Sequence, residues 1–265
     1  MKRSFFQVRV SYTLERVFGE NFRNLWNLDP YSDPNSPAVF FGLYQDEDLE
    51  VFLQHNSYSI VILGGGELKK NTKSLVKVLK KKKKNTFFLG YGWLKEFFEK
   101  NNLECHEGVI KIKDFSMFLP TELGSKIYYY IGFAGNRKGQ LGYDEIIKPL
   151  IDIYGENKFI TSSNTKIENL YEEVYKNCFL YIKPIPSAGS TTMFEFAQMG
   201  IKTVSKNQGS LPNVIEYNNL EDIVEIIESE SKKIGILQKN LSDEYQKIFL
   251  DDRWLSLEFY KKINE

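Results

Sequence analysis

A segment of small and polar residues between Lys183 and Glu195 contains the residue types that bind phosphate. It follows an apolar run, Cys178 to Ile182, which predicts a buried strand, and it leads into a short predicted helix over Thr192 to Met199. The free N–H groups and the dipole of a helix N-terminus attract anions, although serine or threonine there often only caps the helix. We predict a diphosphate on these residues, with Glu195 accepting from a ribose. The candidate ligands are Lys183, Ser187, Gly189, Ser190, Thr191, Thr192 and Glu195.

A second candidate phosphate-binding segment runs from Gly132 to Gly142 and contains four glycines. It follows a predicted strand over Lys126 to Ile131. Arg137 and Lys138 carry the charges that neutralise a diphosphate, and arginine can hold two of its oxygens at once. Gly132 would allow the backbone to approach the ligand closely. The alternative is a solvated basic turn.

Glycine and aromatic residues follow two predicted strands in the first half of the chain. Gly64-Gly65-Gly66-Glu67 follows the strand Tyr58 to Leu63, and Gly90-Tyr91-Gly92 follows the next strand. We predict that Gly65, Gly66, Tyr91 and Trp93 bind a second ligand, with the aromatic rings stacking on a sugar or base; the resemblance described below implies that this ligand is the sugar acceptor. Glu67 and His55 are the candidate bases for catalysis. The alternatives are a tight turn for Gly64 to Glu67, ordinary ring packing for Tyr91 and Trp93, and a position that only ends a helix for His55.

Composition limits the classes of function. Lys and Arg total 35, as do Asp and Glu, so the net charge gives no indication of a polyanionic partner. The two cysteines, Cys105 and Cys178, lie far apart, which predicts a reducing, cytoplasmic location without a disulfide framework. No apolar run reaches about 18 residues, so we expect no membrane span, and the N-terminus reads as a strand and not as a signal peptide. Oligomeric state is not predicted.

Strand and helix patterns alternate along the chain, which predicts α/β architecture with parallel sheets. We expect two facing Rossmann-like domains, residues 1–122 and 123–265, with a long terminal helix over Asp243 to Ile263. Ligands of such sheets bind beyond the carboxyl ends of the strands. The predicted strands are Phe5 to Tyr12, Ala38 to Tyr44, Tyr58 to Leu63, Thr86 to Leu89, Lys126 to Ile131, Lys158 to Ser162, Cys178 to Ile182 and Ile201 to Ser205.

The second half, about Lys126 to Ile227, resembles the nucleotide-sugar domain of GT-B glycosyltransferases, nearest to glycosyltransferase family 4. The resemblance is carried by YYYIGFAGNRKGQLGYDEIIKPL, with Lys138-Gly139 in place, and by Glu195 with the run that ends at Gly200. The sequence departs from the family at two positions. Phe133 stands where the family has arginine, for which Arg137 could substitute, and Ser187 stands where the family has a first glutamate.

The resemblance implies two facing domains, with the last helix crossing back to the first domain. It also implies transfer of a sugar from a UDP- or GDP-linked donor to an acceptor hydroxyl, without metal or other cofactor. A glycan or a modified DNA base is the expected acceptor, and the short chain is similar to small viral and phage enzymes. Two alternatives stay open: a polysaccharide pyruvyl transferase, which SIVILGGGELKKN resembles, and a non-catalytic sugar- or nucleic-acid-binding module.

Two charged motifs fall outside this scheme. Asp46-Glu47-Asp48 has the D-x-D spacing of the metal site in GT-A glycosyltransferases, but acids also stabilise a helix N-terminus, and we assign no metal there. Lys80 to Lys84 is a run of five lysines. It reads as a solvated helix end, with a phosphate backbone or anionic lipid as the alternative partner.

Overall fold

The computed structural model describes residues 6–70, 72–130, 142–162, 165, 169–184, 191–206, 211–256 and 258–259, with only the backbone for 69 and 70. The chain divides into two compact units. The first comprises Met1–Asp114 and Ile248–Glu265, and the second comprises Phe115–Lys247. The sequence placed the division later, at residue 122. No described helix has the length and apolar character required to cross a membrane.

The first unit is a parallel sheet between two layers of helix. Among the described residues, its strand order is β2-β1-β3-β4-β5-β6, and every neighbouring pair is parallel. The strands are β1 (Gln7–Val10), β2 (Asp29–Pro30), β3 (Ala38–Phe41), β4 (Ser59–Ile62), β5 (Thr86–Gly90) and β6 (Cys105–Glu107). The helices are α1 (Tyr12–Leu14), α2 (Glu20–Trp26), α3 (Asp46–Gln54), α4 (Glu67–Lys70), α5 (Thr72–Lys82) and α6 (Trp93–Lys100), with a π-helical turn over Glu15–Gly19.

The second unit repeats this plan with a sheet of order β11-β10-β9-β7-β8, again parallel throughout the described part. Its strands are β7 (Lys126–Tyr129), β8 (Phe159–Ile160), β9 (Cys178–Lys183), β10 (Lys202–Ser205) and β11 (Val214–Ile215). Its helices are α7 (Lys148–Tyr154, extended N-terminally by a π turn over Tyr143–Ile147), α8 (Leu170–Glu173), α9 (Thr191–Gln198), α10 (Leu220–Ser231) and α11 (Lys239–Gln246).

Apolar residues cover both faces of the first sheet, as expected for buried parallel strands. Val39 and Ile60 contribute to the core on one face, and Phe40 and Val61 contribute to the core on the other. Because neighbours in a strand point to opposite faces, continuous apolar runs such as AVFF fill both layers. This pattern explains why the sequence located the central strands correctly.

The predicted long terminal helix over Asp243 to Ile263 is wrong. Helix α11 ends at Gln246, and the described chain then turns at Lys247 and Ile248 before it reaches a short 3₁₀ turn over Asp252–Leu255. The backbone N–H of Leu250 donates to the carbonyl of Val109 (2.9 Å), and Phe249 forms a β-bridge with Val109. The apolar residues were spaced like one helix face, but they belong to two separate elements.

Each sheet has one topological switch point, where the chain adds a strand on one side of a starting strand and then the next strand on its other side. From β1 the chain passes to β2 on one side and then to β3 on the other, and from β7 it passes to β8 and then to β9 in the same way. In parallel α/β sheets the crevice at such a switch point, beyond the carboxyl ends of the strands, is the usual ligand site. The candidate position in the second unit is therefore between β7 and β9.

Candidate donor site in the second unit

The two predicted phosphate-binding segments begin at the ends of neighbouring strands. Tyr129 at the end of β7 is the register partner of Ile182 in β9, so the two strands end side by side. The segment from Gly132 follows β7, and the segment that leads to Thr191 follows β9. Six of the predicted donor ligands lie outside the described residues: Gly132, Arg137, Lys138, Ser187, Gly189 and Ser190.

Lys183 is the last residue of β9 and is buried, with 7% of its surface exposed. Its Nζ donates to the Sδ of Met193 in α9, at 3.2 Å. Burial lowers the pKa of the Lys183 ammonium to about 7, because removal from water disfavours the charged form. The site therefore has a lysine that can change its charge near neutral pH.

Glu195 lies one turn into α9 and is 6% exposed. The Tyr175 phenol faces its carboxylate and the hydroxyl of Thr192. Burial, followed by the negative charge of Glu195, raises the pKa of that phenol. Thr191 and Thr192 form the start of the helix and are half-buried. Helix α9 therefore starts at the carboxyl end of β9 with two threonines, and its buried carboxylate lies one turn further along the helix.

Several buried polar side chains around Lys183 and Met193 were not found from the sequence. Ser205, the register partner of Lys183 on β10, is fully buried, and its Oγ has no hydrogen-bond partner among the described residues. Asn213 is also fully buried: its Nδ2 donates to the carbonyl of Met193 (3.3 Å), but its Oδ1 has no partner in the same part of the chain. Tyr217 donates from its hydroxyl to the carbonyl of Pro184 (2.9 Å). Ser205 could have been found from the sequence, because it is a polar residue at the end of a predicted strand. Asn213 and Tyr217 could not, because they are 20 and 33 positions away from their partners Met193 and Pro184.

In the first unit, Glu67 has a structural position. Its Oε1 accepts from the backbone N–H of Gly64 (2.9 Å) and of Leu43 (3.3 Å), which joins the segments that follow β3 and β4. Its Oε2 is buried and has no hydrogen-bond partner among the described residues. Burial raises the pKa of the carboxyl group. These contacts are those of a residue that holds two turns together, and they do not support the predicted role as base.

His55 is a core residue that ends α3 and has no exposed surface. Its Nε2 lies 3.1 Å from the carbonyl of Tyr58, and its Nδ1 lies 3.3 Å from the hydroxyl of Tyr31. Burial lowers the pKa of the imidazole. A neutral ring that donates from Nε2 and accepts at Nδ1 satisfies both contacts, so this geometry does not support the predicted catalytic role.

The predicted acceptor residues lie at one edge of the first sheet, because β4 and β5 are neighbours and both end there. Gly65 has a φ of 90°, a backbone conformation that favours glycine. Gly66 faces the ring of Tyr44, since a Cβ at this position would lie 2.9 Å from Tyr44 Cε1. Tyr91 and Trp93 follow β5 and are half-buried. The structure thus gathers these four residues along one edge.

The two charged motifs form helix ends. Asp48 is the N3 residue of α3, and its Oδ2 accepts from the N–H groups of Tyr44 and Gln45 (both 3.1 Å) and from the Ser11 hydroxyl (2.5 Å). This is the capping role expected of acids at a helix start. Within the described residues, no group of three His, Cys, Asp or Glu is arranged to hold a metal ion. The lysine run ends α5 and continues into a 3₁₀ turn over Lys83–Asn85.

No protein-family model matches the sequence, and no curated protein matches it. Solved structures do resemble the fold. A sucrose-phosphate synthase from Thermosynechococcus elongatus aligns with a TM-score of 0.56 at 13% identity, covering 86% of this chain and 73% of its own. The Anabaena protein HepE, in complex with UDP and glucose, aligns with a TM-score of 0.56 at 9% identity, covering 96% of this chain and 83% of its own. Identities this low establish the fold alone. The chain has the α/β fold of GT-B glycosyltransferases.

Proposed function

We propose that the chain is a glycosyltransferase that moves a sugar from a nucleoside-diphosphate donor to an acceptor hydroxyl. One observation carries the proposal: the predicted donor ligands follow β7 and β9, the two strands at the switch point of the second sheet. Lys183 is the last residue of β9 and Glu195 lies one turn into the helix that follows it, and both side chains are buried. A lysine that becomes charged against a diphosphate and an acidic residue near a helix start suit the diphosphate and the ribose of a nucleotide donor, respectively.

The proposed chemistry is stabilisation of a leaving group. When the glycosidic bond breaks, negative charge builds up on the diphosphate, and fixed positive charges and N–H groups lower the energy of that state. Lys183, protonated against the diphosphate, would supply such a charge, together with Arg137 and Lys138. Glu195 would accept hydrogen bonds from the ribose, positioned by Tyr175 and Thr192. We propose that this cluster acts without a metal ion.

The acceptor would bind at the carboxyl edge of the first sheet, near Gly65, Gly66, Tyr91 and Trp93. A glycan or a modified DNA base both present hydroxyl groups and flat faces that suit half-buried aromatic rings. Glu67 and His55 are engaged in the contacts described above, so we do not include a base from this chain in the proposal. The UDP bound to HepE supports UDP as the nucleotide to test first.

The test is nucleotide binding with a conservative change. We expect isothermal titration to show binding of UDP or GDP, and Glu195→Gln to weaken that binding about tenfold, the effect of losing a charged hydrogen-bond acceptor worth about 1.5 kcal/mol. Glu230→Gln is the matched control, because Glu230 is a buried acid of the same unit that pairs with Lys202 and Lys233. Equal affinities for the wild type and Glu195→Gln would remove Glu195 from the site.

A screen of nucleotide-sugars for hydrolysis then separates the enzyme from a binding module. Slow release of free sugar from one donor would identify an active transferase, whereas nucleotide binding with no turnover of any donor would indicate a binding module. Phosphoenolpyruvate belongs in the same screen, because the Gly64-Gly65-Gly66 run resembles that of pyruvyl transferases. Packing against Tyr44 accounts for two of these glycines, so the run does not by itself favour that reaction.

A further inference from the structure

The lysine run is part of a larger basic surface on the first unit. Residues 69–84 contain nine lysines and no acidic residue, although acids and bases balance over the whole chain. Six of these lysines are exposed along α5 and the 3₁₀ turn after it. We call them the lysine stripe: Lys73, Lys77, Lys80, Lys81, Lys83 and Lys84. In the part of the chain that is described, none of the six forms an ion pair.

The stripe has a fixed orientation because the opposite face of α5 is anchored in the core. Leu75 and Leu79 are buried and pack in the cluster that contains Phe88 and Phe98. At 3.6 residues per turn, Lys73, Lys77, Lys80 and Lys81 lie on the side of the helix away from those leucines. The 11 residues of the helix span about 16 Å, so the ammonium groups form one row that can meet a flat surface.

The stripe leads away from the predicted acceptor residues. Helix α5 connects parallel strands β4 and β5, so it starts near the carboxyl edge of the sheet and ends at the amino edge. Lys80 to Lys84 therefore lie at the opposite edge from Gly65, Gly66, Tyr91 and Trp93. An anionic acceptor held on these lysines would be far from the edge at which we place the reaction. The stripe thus requires an explanation separate from the acceptor.

The residue types favour a lipid surface over a nucleic acid. The segment 69–84 has no arginine, the residue that recognises phosphates and guanine edges bidentately, and no aromatic ring on which a base could stack. Lysines on long flexible stems act as point charges. A row of them is attracted to a layer of anionic headgroups by about 1 kcal/mol for each lysine near the surface. We propose that the lysine stripe docks the protein on an anionic membrane surface.

Vesicle sedimentation tests this proposal directly. We expect the protein to bind vesicles of phosphatidylcholine with about 30% phosphatidylserine and not vesicles of phosphatidylcholine alone, with binding lost when salt rises from about 50 to about 500 mM. Replacing Lys73, Lys77, Lys80, Lys81 and Lys84 together by Gln should lower the partition coefficient at least about 100-fold. Glutamine keeps helix propensity, so circular dichroism should be unchanged.

The control variant removes the same charge elsewhere. Changing Lys100, Lys176, Lys232, Lys239 and Lys247 to Gln also neutralises five exposed lysines, and three of these already pair with acids in the structure. It should bind anionic vesicles nearly as well as the wild type. Equal losses in both variants, or binding to a DNA duplex but not to vesicles, would overturn the proposal. UDP affinity should be the same in the stripe variant, because the proposed donor site is in the other unit.

Discussion

Lys183 is a residue whose surroundings disfavour its charge. An ammonium group removed from water loses several kcal/mol of hydration unless an opposite charge replaces it. The described neighbours include a thioether sulfur and a buried serine on the adjacent strand. A bound diphosphate would bring negative charge to this position. Strongly shifted pKa values are concentrated at functional sites and in structural ion-pair networks.

The shifted pKa of Lys183 predicts a pH dependence of stability. Between pH 7 and the ordinary lysine pKa of 10.5, the unfolded chain holds a proton that the folded chain has released. Stability therefore rises with pH in this window, by up to about 1.4 kcal/mol for each pH unit. Urea unfolding at pH 7 and pH 9 should show the free energy of the wild type increasing by about 2 kcal/mol relative to Lys183→Met.

Methionine has a similar length and no charge, so the difference between the two proteins isolates the ammonium group from all other titrating groups. Parallel pH profiles would show that Lys183 keeps its proton in the folded state. In that case the site would have a permanently charged lysine, and binding of a diphosphate would take up no proton there.

At this scale the sequence predicted residue types better than residue roles. His55 and Glu67 have the chemistry of bases, but a base requires an accessible atom, and burial is decided by distant parts of the chain. The hydrogen bond from the N–H of Leu43 to Glu67 spans 24 positions, and the contact between Tyr31 and His55 also spans 24. No local pattern reveals such contacts.

The elements that follow β3 and β4 are joined by Tyr44 as well as by Glu67. A Cβ on Gly64 would lie 2.4 Å from the hydroxyl oxygen of Tyr44 and 3.3 Å from its Cζ. A side chain at position 64 would therefore require the Tyr44 ring to move. The same ring lies 2.9 Å from a Cβ built on Gly66.

This contact predicts a rescue experiment. Gly64→Ala should destabilise the protein by about 1–3 kcal/mol, the usual cost of overpacking. Tyr44→Phe removes the clashing oxygen, so the double variant should recover most of that loss. Thermal or urea unfolding of the wild type, Gly64→Ala, Tyr44→Phe and the double variant gives the coupling energy between the two positions. Additive losses of stability would show that the added methyl group does not clash with the Tyr44 hydroxyl.

Most elements could be predicted because apolar periodicity and burial agree. Strand β9 and helix α9 come within a residue of their predicted bounds, since CFLYI is buried on both faces and Gly200 ends the helix. The short strands β2, β6 and β11 were missed, because two or three residues carry no periodic pattern. The C-terminal segment was misassigned because its backbone partner, Val109, is far away in sequence.

At the scale of the whole molecule, the chain contains two parallel sheets, and each of them has one topological switch point. Its charged residues are distributed unevenly along the sequence. A net charge of zero hides a segment with nine lysines, so overall balance was a poor guide to possible partners. The fold could be predicted from the alternation of elements. The resemblance implied that the C-terminal segment returns to the first unit, and the residues after Lys247 do return to it. The position of the division between Asp114 and Phe115 could not be predicted, because it depends on contacts between residues that are distant in the sequence.

Trp254 is the main anchor of this returning segment, which predicts that the two units differ in their response to its loss. The side chain is fully buried in the first unit, with its ring 5.2 Å from that of Trp26 in an edge-to-face contact and 6.4 Å from that of Phe22. Trp254→Ala should lower the free energy of unfolding by about 3–5 kcal/mol, as for other buried aromatic truncations.

Hydrogen exchange locates the effect of this change. Amides of β1 and β3 to β5 should lose protection in Trp254→Ala, whereas those of β7, β9 and β10 should keep it, because the second unit has its own core around Tyr128, Tyr181 and Phe196. Tyr12→Ala, which truncates an aromatic residue that is 81% exposed, is the control and should change stability by less than about 0.5 kcal/mol. UDP affinity should survive in both variants if the donor site belongs to the second unit alone. Equal loss of protection in both sheets would mean that the two units unfold as one.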